Sequence, residues 1–263
     1  MSTRDLSTVG LRADRQAAVL RLTITRPEKL NAVTAELIQC LYEQIAATDA
    51  RVVVITGEGR AFSSGADLEP GAGGPTDGTS GGGENTLTAA NRLLREITGC
   101  DAVVIAAING PAAGIGCSIA LAADLPVMAE EAYLLLPFTN IGLMPDGGVT
   151  ATWAAAAGRV HAMRAALFGE RIPAAEALQT GLVAATAPAA ELGELVDRWA
   201  QTLADRPRVA LARTKQAINA STLGHLPQAL SREETEQEAL LAGADFTEGV
   251  QAFLERRQAH FTD

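Results

Sequence analysis

Two short apolar runs, RVVVIT at residues 51–56 and AVVIAAI at 102–108, each stop at a glycine-bearing turn. Runs this short and this continuously apolar read as strands buried within a sheet. Residues 17–25 alternate as a further strand, ended by Arg26-Pro27. Amphipathic stretches lie between the strands. Leu37, Ile38, Leu41 and Ile45 share one helical face within 34–48, and Thr34 is placed to cap its start. Further helices fit 86–98 and 117–123. The order strand, helix, strand, loop, helix, strand, helix predicts an α/β fold with right-handed crossovers.

Two segments break this pattern. Residues 69–84 are more than half glycine and proline, a composition that cannot bury a face and predicts a mobile loop. Beyond Thr150 helices are predicted at 150–157, 174–180, 189–204, 209–220, 226–241 and 246–260, separated by breaks such as Gly158, Pro173, Gly181 and Gly243. No strand run of the earlier quality follows, so an α/β core should precede an all-helical tail. The apolar face of 226–241 should need a partner surface to cover it.

Composition excludes several classes. A chain of 263 residues, 48% hydrophobic, can build a core without disulfide or metal. Its 21 Lys and Arg against 31 Asp and Glu give a net charge of −10, which argues against nucleic acid and against a polybasic membrane contact. Cys40, Cys100 and Cys117 show no ligand spacing and read as reduced core residues. His161, His225 and His260 fall in no metal-ligand or nucleophile–base spacing. The first fourteen residues carry Arg4, Asp5, Arg12 and Asp14 without an apolar segment, and no apolar run approaches the ~20 residues of a membrane span. A cytoplasmic location with no membrane partner is the expectation. Gly57-Glu58-Gly59 and Gly114-Ile115-Gly116 each begin a dinucleotide-type fingerprint. Phe62 and Ile119 stand at the third glycine place, so nicotinamide binding is weakly supported.

Those glycine turns have another use. A strand that feeds a glycine turn and then a helix leaves backbone N–H groups without partners, and they favour a developing negative oxygen. Residues 110–116 are such a turn, and 59–68 are a second of similar composition. Facing one pocket, the two would make an oxyanion hole. From composition alone, two ordinary tight turns is the favoured reading.

GRAFSSGADL (59–68) and INGPAAGIGCSIALAADL (108–125) resemble the hallmark stretches of the enoyl-CoA hydratase/isomerase (crotonase) family. TRPEKLNAV (25–33), IGLMPDGGVTATW (141–153), FGERIPAAEALQTGLV (168–183) and FLERRQAHF (253–261) also resemble it, in family order. The resemblance implies a crotonase-like ββα spiral core over 1–200 and a C-terminal helical trimerisation region over 201–263. It implies a homotrimer or a dimer of trimers. It also implies acyl-CoA thioester substrates, with coenzyme A entering as part of the substrate and no separate cofactor or metal. By position, the thioester oxygen would be held by the amides of Ala66 and Ile115. Ile115 stands where glycine is usual, so its side chain must point away from the carbonyl. The adenine would lie against Ser64, Asp67 and Leu68. Lys29 is a candidate phosphate contact, or equally a solvated surface charge. Gly114 and Phe138 complete the substrate-binding set.

The chain departs from the family at its acid/base positions. The two places where hydratases carry glutamates hold Ser118 and Phe138, and neither can take a proton at neutral pH. Replacing Ser118 by alanine should therefore do little. Asp146, in Met144-Pro145-Asp146-Gly147-Gly148, matches the aspartate of double-bond-shifting and dehalogenating relatives, although Asp-Gly is also a common turn pair. Among Phe138, Leu143 and Met144, desolvation should raise its pKa toward that of a useful base. Asp67 and Asp124 read as structural. One carboxylate beside an oxyanion hole suits Δ3–Δ2 enoyl-CoA isomerisation. Hydration through substitute acids, or acyl-CoA binding without catalysis, are the alternatives. Dehalogenation or thioester hydrolysis wants a histidine, and none precedes His161.

Overall fold

The computed structural model describes residues 6–69 and 85–262. The predicted glycine-rich loop, apart from Glu69, lies outside the described residues. Six strands form the main sheet: β1 (Leu11–Gln16), β2 (Val19–Ile24), β3 (Val52–Gly57), β4 (Val103–Ile108), β6 (Leu125–Ala129) and β9 (Ala185–Ala187), in the order β1-β2-β3-β4-β6-β9. β1 and β2 are an antiparallel hairpin, and every later pairing is parallel. β4 is buried at all its positions, as its unbroken apolar run requires. A smaller sheet joins β5 (Ala112–Ala113), β7 (Tyr133–Leu135) and β8 (Ile172–Pro173). Isolated bridges Val33↔Ala66 and Ser63↔Ala112 extend this second layer toward the N-terminus. Successive passes of the chain thus contribute a strand to one layer and a short rung to the other.

Helix α1 (Ala35–Ala46) starts as expected at Thr34, whose Oγ1 accepts from the Leu37 amide at 3.2 Å. It packs Leu37, Ile38, Leu41 and Ile45 inward, beside α2 (Thr86–Gly99). Then come α3 (Ile115–Ala122), α4 (Val149–Ala157), α5 (Arg159–Phe168), α6 (Ala174–Thr180) and α7 (Ala189–Ala204). α7 lies across β2, β3, β4 and β6. α8 (Arg208–Thr222) is anchored by Lys215, whose buried ammonium pairs with Asp124 at 2.9 Å and donates to the Ile97 and Ala102 carbonyls. Asp124 also accepts from the Val104 amide at 2.7 Å. A buried lysine needs this full set of acceptors.

Several expectations need correction. β8 and β9 lie beyond Thr150, and β9 extends the main sheet beside β6, so the tail is not all helix. Three residues are too few to leave a periodic signature. β1, LRADRQ, escaped notice because a polar edge strand with one buried residue has no apolar pattern. α5 was invisible for the opposite reason: only Ala165 is buried, while Val160, Leu167 and Phe168 are exposed. α10 (Ala244–Glu255) ends five residues early, at Arg256 in the left-handed region (φ 55°). The face of α9 (Leu226–Leu241) needs no second molecule. Leu226, Leu230, Glu233 and Gln237 are buried, and the helix packs on α2 and α4 of its own chain.

Cys40 and Cys117 are buried and Cys100 partly so, all as free thiols. His161 accepts from Trp153 Nε1 at 2.9 Å and meets Glu176 at 3.1 Å, a packing role. Among the described residues no helix is long and apolar enough to cross a membrane.

Candidate active site

The first turn is held by its neighbours in the small layer. Val33 donates to the Gly65 carbonyl at 2.8 Å, and Asp67 donates to the Val33 carbonyl at 2.9 Å. Ala66 lies between these bonds. The second turn ends at Gly114 (φ 54°), whose carbonyl accepts from Cys117 and Ser118 at the start of α3. As the first helical residue, Ile115 has no partner within the helix. Among the described residues neither the Ala66 nor the Ile115 amide has a hydrogen-bond acceptor. The turns touch: a Cβ on Gly116 would lie 2.6 Å from the Ser63 Cβ, and one on Gly65 would lie 3.1 Å from the Ala113 carbonyl. Only residues without side chains permit this approach.

Both amide-bearing residues line one cavity of about 100 Å³. Asp146 lines it too, on the loop between the turn at Phe138–Ile141 and α4. Leu87, Ala90, Phe138, Ile141 and Leu143 supply apolar wall. Burial pushes the Asp146 carboxyl up to about 7; the Gln237 hydrogen bond opposes this, and the nearby Glu233 charge adds to it. Gln237 Nε2 donates to Asp146 Oδ2 at 2.9 Å, whereas Oδ1 is sealed from solvent with no partner among the described residues.

Three side chains hold this loop. Ser118 Oγ donates to the Asp146 carbonyl at 2.7 Å. Gln237 accepts from the Met144 amide at 3.1 Å and donates to the Met144 carbonyl at 2.9 Å. Glu233 accepts from the amides of Gly148 at 2.5 Å and Thr150 at 3.2 Å, and from the Thr150 hydroxyl. Gly148 is the N-cap of α4 and has no side chain of its own, so α9 provides the cap across the fold. The same enclosure raises the Glu233 pKa.

The structure brings Ser64, Ala66, Leu68, Gly114, Ile115, Phe138 and Asp146 to one cavity. Two expectations shift in detail. Met144 is absent from the wall and contributes its backbone, and Ser118 is engaged with the Asp146 loop. The Ile115 side chain reaches toward Gly147, whose Cβ, if present, would lie 2.5 Å from Ile115 Cδ1. Asp67 and Lys29 stand outside the cavity wall. Asp67 is 3% exposed and pairs with Arg26 at 2.9 Å and Lys29 at 3.2 Å. Burial would raise its pKa, but Arg26, the Glu69 amide and Lys29 together hold it below the usual carboxylate value. Lys29 also bonds Glu69 at 2.8 Å, so its charge is already matched. Glu233 and Gln237 were missed, yet a signal existed. They continue the core-facing stripe of Leu226 and Leu230, and polar residues on such a stripe need buried partners.

Two unclaimed amides and a buried carboxyl around one cavity suit a protein that polarises a carbonyl and moves a proton beside it. Residues 14–263 match the family model described as enoyl-CoA hydratase/isomerase, and the chain belongs to that family. A probable enoyl-CoA hydratase of Rhodobacter capsulatus is 41% identical over 92% of this chain and 93% of its own length. The 1,2-epoxyphenylacetyl-CoA isomerase of Escherichia coli is 34% identical over 94% and 96%. A crystal structure of an enoyl-CoA hydratase from Mycobacterium avium subsp. paratuberculosis K-10 superposes with a TM-score of 0.88 at 45% identity, covering 97% of this chain and 99% of that one. The fold is therefore of the crotonase type, a mixed α/β architecture.

Proposed function

We propose that this enzyme of the hydratase/isomerase family catalyses Δ3–Δ2 enoyl-CoA isomerisation, with Asp146 as both base and acid. One observation carries the reading: among the described residues lining the cavity, Asp146 is the one ionisable side chain. The thioester oxygen would sit between the Ala66 and Ile115 amides. The C2–H bond breaks toward Asp146, its electron pair passes into the dienolate, and the oxygen takes the charge. Each preorganised donor supplies ~3–4 kcal/mol as that charge develops. The new O–H bond then breaks toward C4, completing the shift with one carboxyl and no net change in protonation. A carboxyl near pKa 7 suits both halves of the cycle. The E. coli relative, named an isomerase of a CoA thioester, is in keeping with this chemistry.

Hydration is the second reading, favoured by the name of the R. capsulatus relative. It lacks a second acid: Phe138 cannot ionise, and Ser118 is committed to the Asp146 carbonyl. With 3-hexenoyl-CoA in D₂O, the isomerase should yield 2-enoyl product containing deuterium, and Asp146→Asn should abolish turnover. Sustained hydration of crotonyl-CoA, or an unimpaired Asp146→Asn enzyme, would refute the proposal. For assembly we propose a homotrimer or dimer of trimers. The α5 stripe of Val160, Leu167 and Phe168, exposed by 79%, 60% and 74%, is surface that association could cover. Sedimentation as a monomer at micromolar concentration would count against it.

A further inference from the structure

We propose that Gln237 is a positioning residue that decides which oxygen of Asp146 carries the transferred proton: Oδ2 is held, and Oδ1 does the transfer. This rests on the reading of Asp146 as the acid/base. The Gln237 side chain is 2% exposed, and both ends of its amide are committed. Its Oε1 accepts from the Met144 N–H and its Nε2 donates to the Met144 carbonyl. An amide flip would set donor against donor and acceptor against acceptor, so the orientation is locked. The remaining Nε2 hydrogen points to Asp146 Oδ2 at 2.9 Å. Toward Asp146, Gln237 is therefore a donor only. A proton on Oδ2 would leave that N–H only a hydroxyl oxygen, a weaker acceptor than a carboxylate or carbonyl oxygen, whereas Oδ1 has no partner among the described residues to lose. In the forward step the C2–H bond breaks as an Oδ1–H bond forms, with the electron pair passing to the dienolate. In the second step Oδ1–H breaks as C4–H forms.

The donated bond also favours the ionised base. Among the described residues, Glu233 on α9 is the other ionisable group acting on Asp146. α3 presents Ser118 and Ile115, the Phe138–Ile141 turn presents Phe138, and α2 presents Thr86, Leu87 and Ala90, none of which titrates near neutrality.

The test compares Gln237→Leu and the isosteric Gln237→Glu with the parent enzyme. The readouts are the pH profile of kcat/KM on 3-hexenoyl-CoA and the infrared carboxyl stretch of ligand-free protein that disappears in Asp146→Asn. Removing the donor should move the acidic limb and the infrared titration upward by about one pH unit, from the typical strength of a hydrogen bond to a charged group. The Leu variant should recover most of its rate at high pH, which a merely loosened loop would not do. Gln237→Glu should move both readouts further, because two carboxyls then share a proton. Unchanged midpoints in folded variants would overturn the inference while leaving the isomerase reading intact. An active Asp146→Asn enzyme would overturn both, and a shifted infrared titration would then show only that Gln237 tunes the Asp146 carboxyl without a part in turnover.

Discussion

A carboxyl kept protonated by burial is a stability liability whose size follows from its pKa. Asp146 rises from an ordinary 3.8 to about 7, so the folded state holds the proton more tightly than the unfolded chain. Stability is then fully present below 3.8, declines as pH rises through the window to about 7, and levels off above it. Linkage with these values gives a cost of about 2 kcal/mol at pH 5 and about 4 kcal/mol at pH 8. Asparagine cannot titrate. It still accepts from Gln237, but its NH₂ replaces the unpartnered Oδ1 and costs about 1–3 kcal/mol as a buried donor. That cost is the same at both pH values. The stability difference between Asp146→Asn and the parent should therefore grow by about 2–3 kcal/mol in favour of the variant from pH 5 to pH 8. Urea denaturation of both proteins at the two pH values measures it, and Glu233 cancels to first order because both carry it. A difference that stays flat with pH would refute the assignment of a buried, high-pKa carboxyl here.

Three further outcomes follow from the same geometry. Glu233→Ala strips the cap from α4 and leaves the buried Gly148 amide without an acceptor, which should lower stability by about 2–3 kcal/mol in a denaturation assay, with Glu233→Gln losing less. Gly116→Ala puts a Cβ 2.6 Å from the Ser63 Cβ and should part the two turns, cutting kcat/KM at least tenfold by a steady-state assay while the far-ultraviolet dichroism stays unchanged. Ser118→Ala frees the Asp146 carbonyl and should lower kcat about five- to tenfold, the equivalent of one ordinary hydrogen bond. Parent-like turnover would show that the loop keeps its place without that hydroxyl.

The parts of the fold legible in sequence were those with strong one-dimensional signals. β3 and β4 were announced by unbroken apolar runs and α1 by its stripe and Thr34 cap, whereas the pairing of the two glycine turns came from the family resemblance. β1, β9 and α5 lack such signals, because an edge strand, a three-residue strand and a two-sided helix owe their structure to neighbours distant in sequence. The site divides in the same way. Ala66, Ile115 and Asp146 sit in local motifs and could be named beforehand. Gln237 and Glu233 could not be matched to their partners, because a buried polar residue on a helix face shows that it needs a partner without showing which. Lys29 read equally as a phosphate contact or a surface charge, and its pairing with Asp67 and Glu69, 38 and 40 residues away, left no trace in the sequence.

The bond from Gln237 to Asp146 spans 91 residues, and this places the Asp146 loop late in the history of each molecule. On a ribosome adding ~5–20 residues per second, Asp146 is synthesised roughly 5–20 seconds before the helix that orients it. During that interval the sheet through β6 can pair, but Gly148 has no cap and Met144 no partner. α9 thus acts as a quality gate, since a chain that loses its last forty residues can keep much of its sheet yet lacks the side chains that hold Asp146 and its loop.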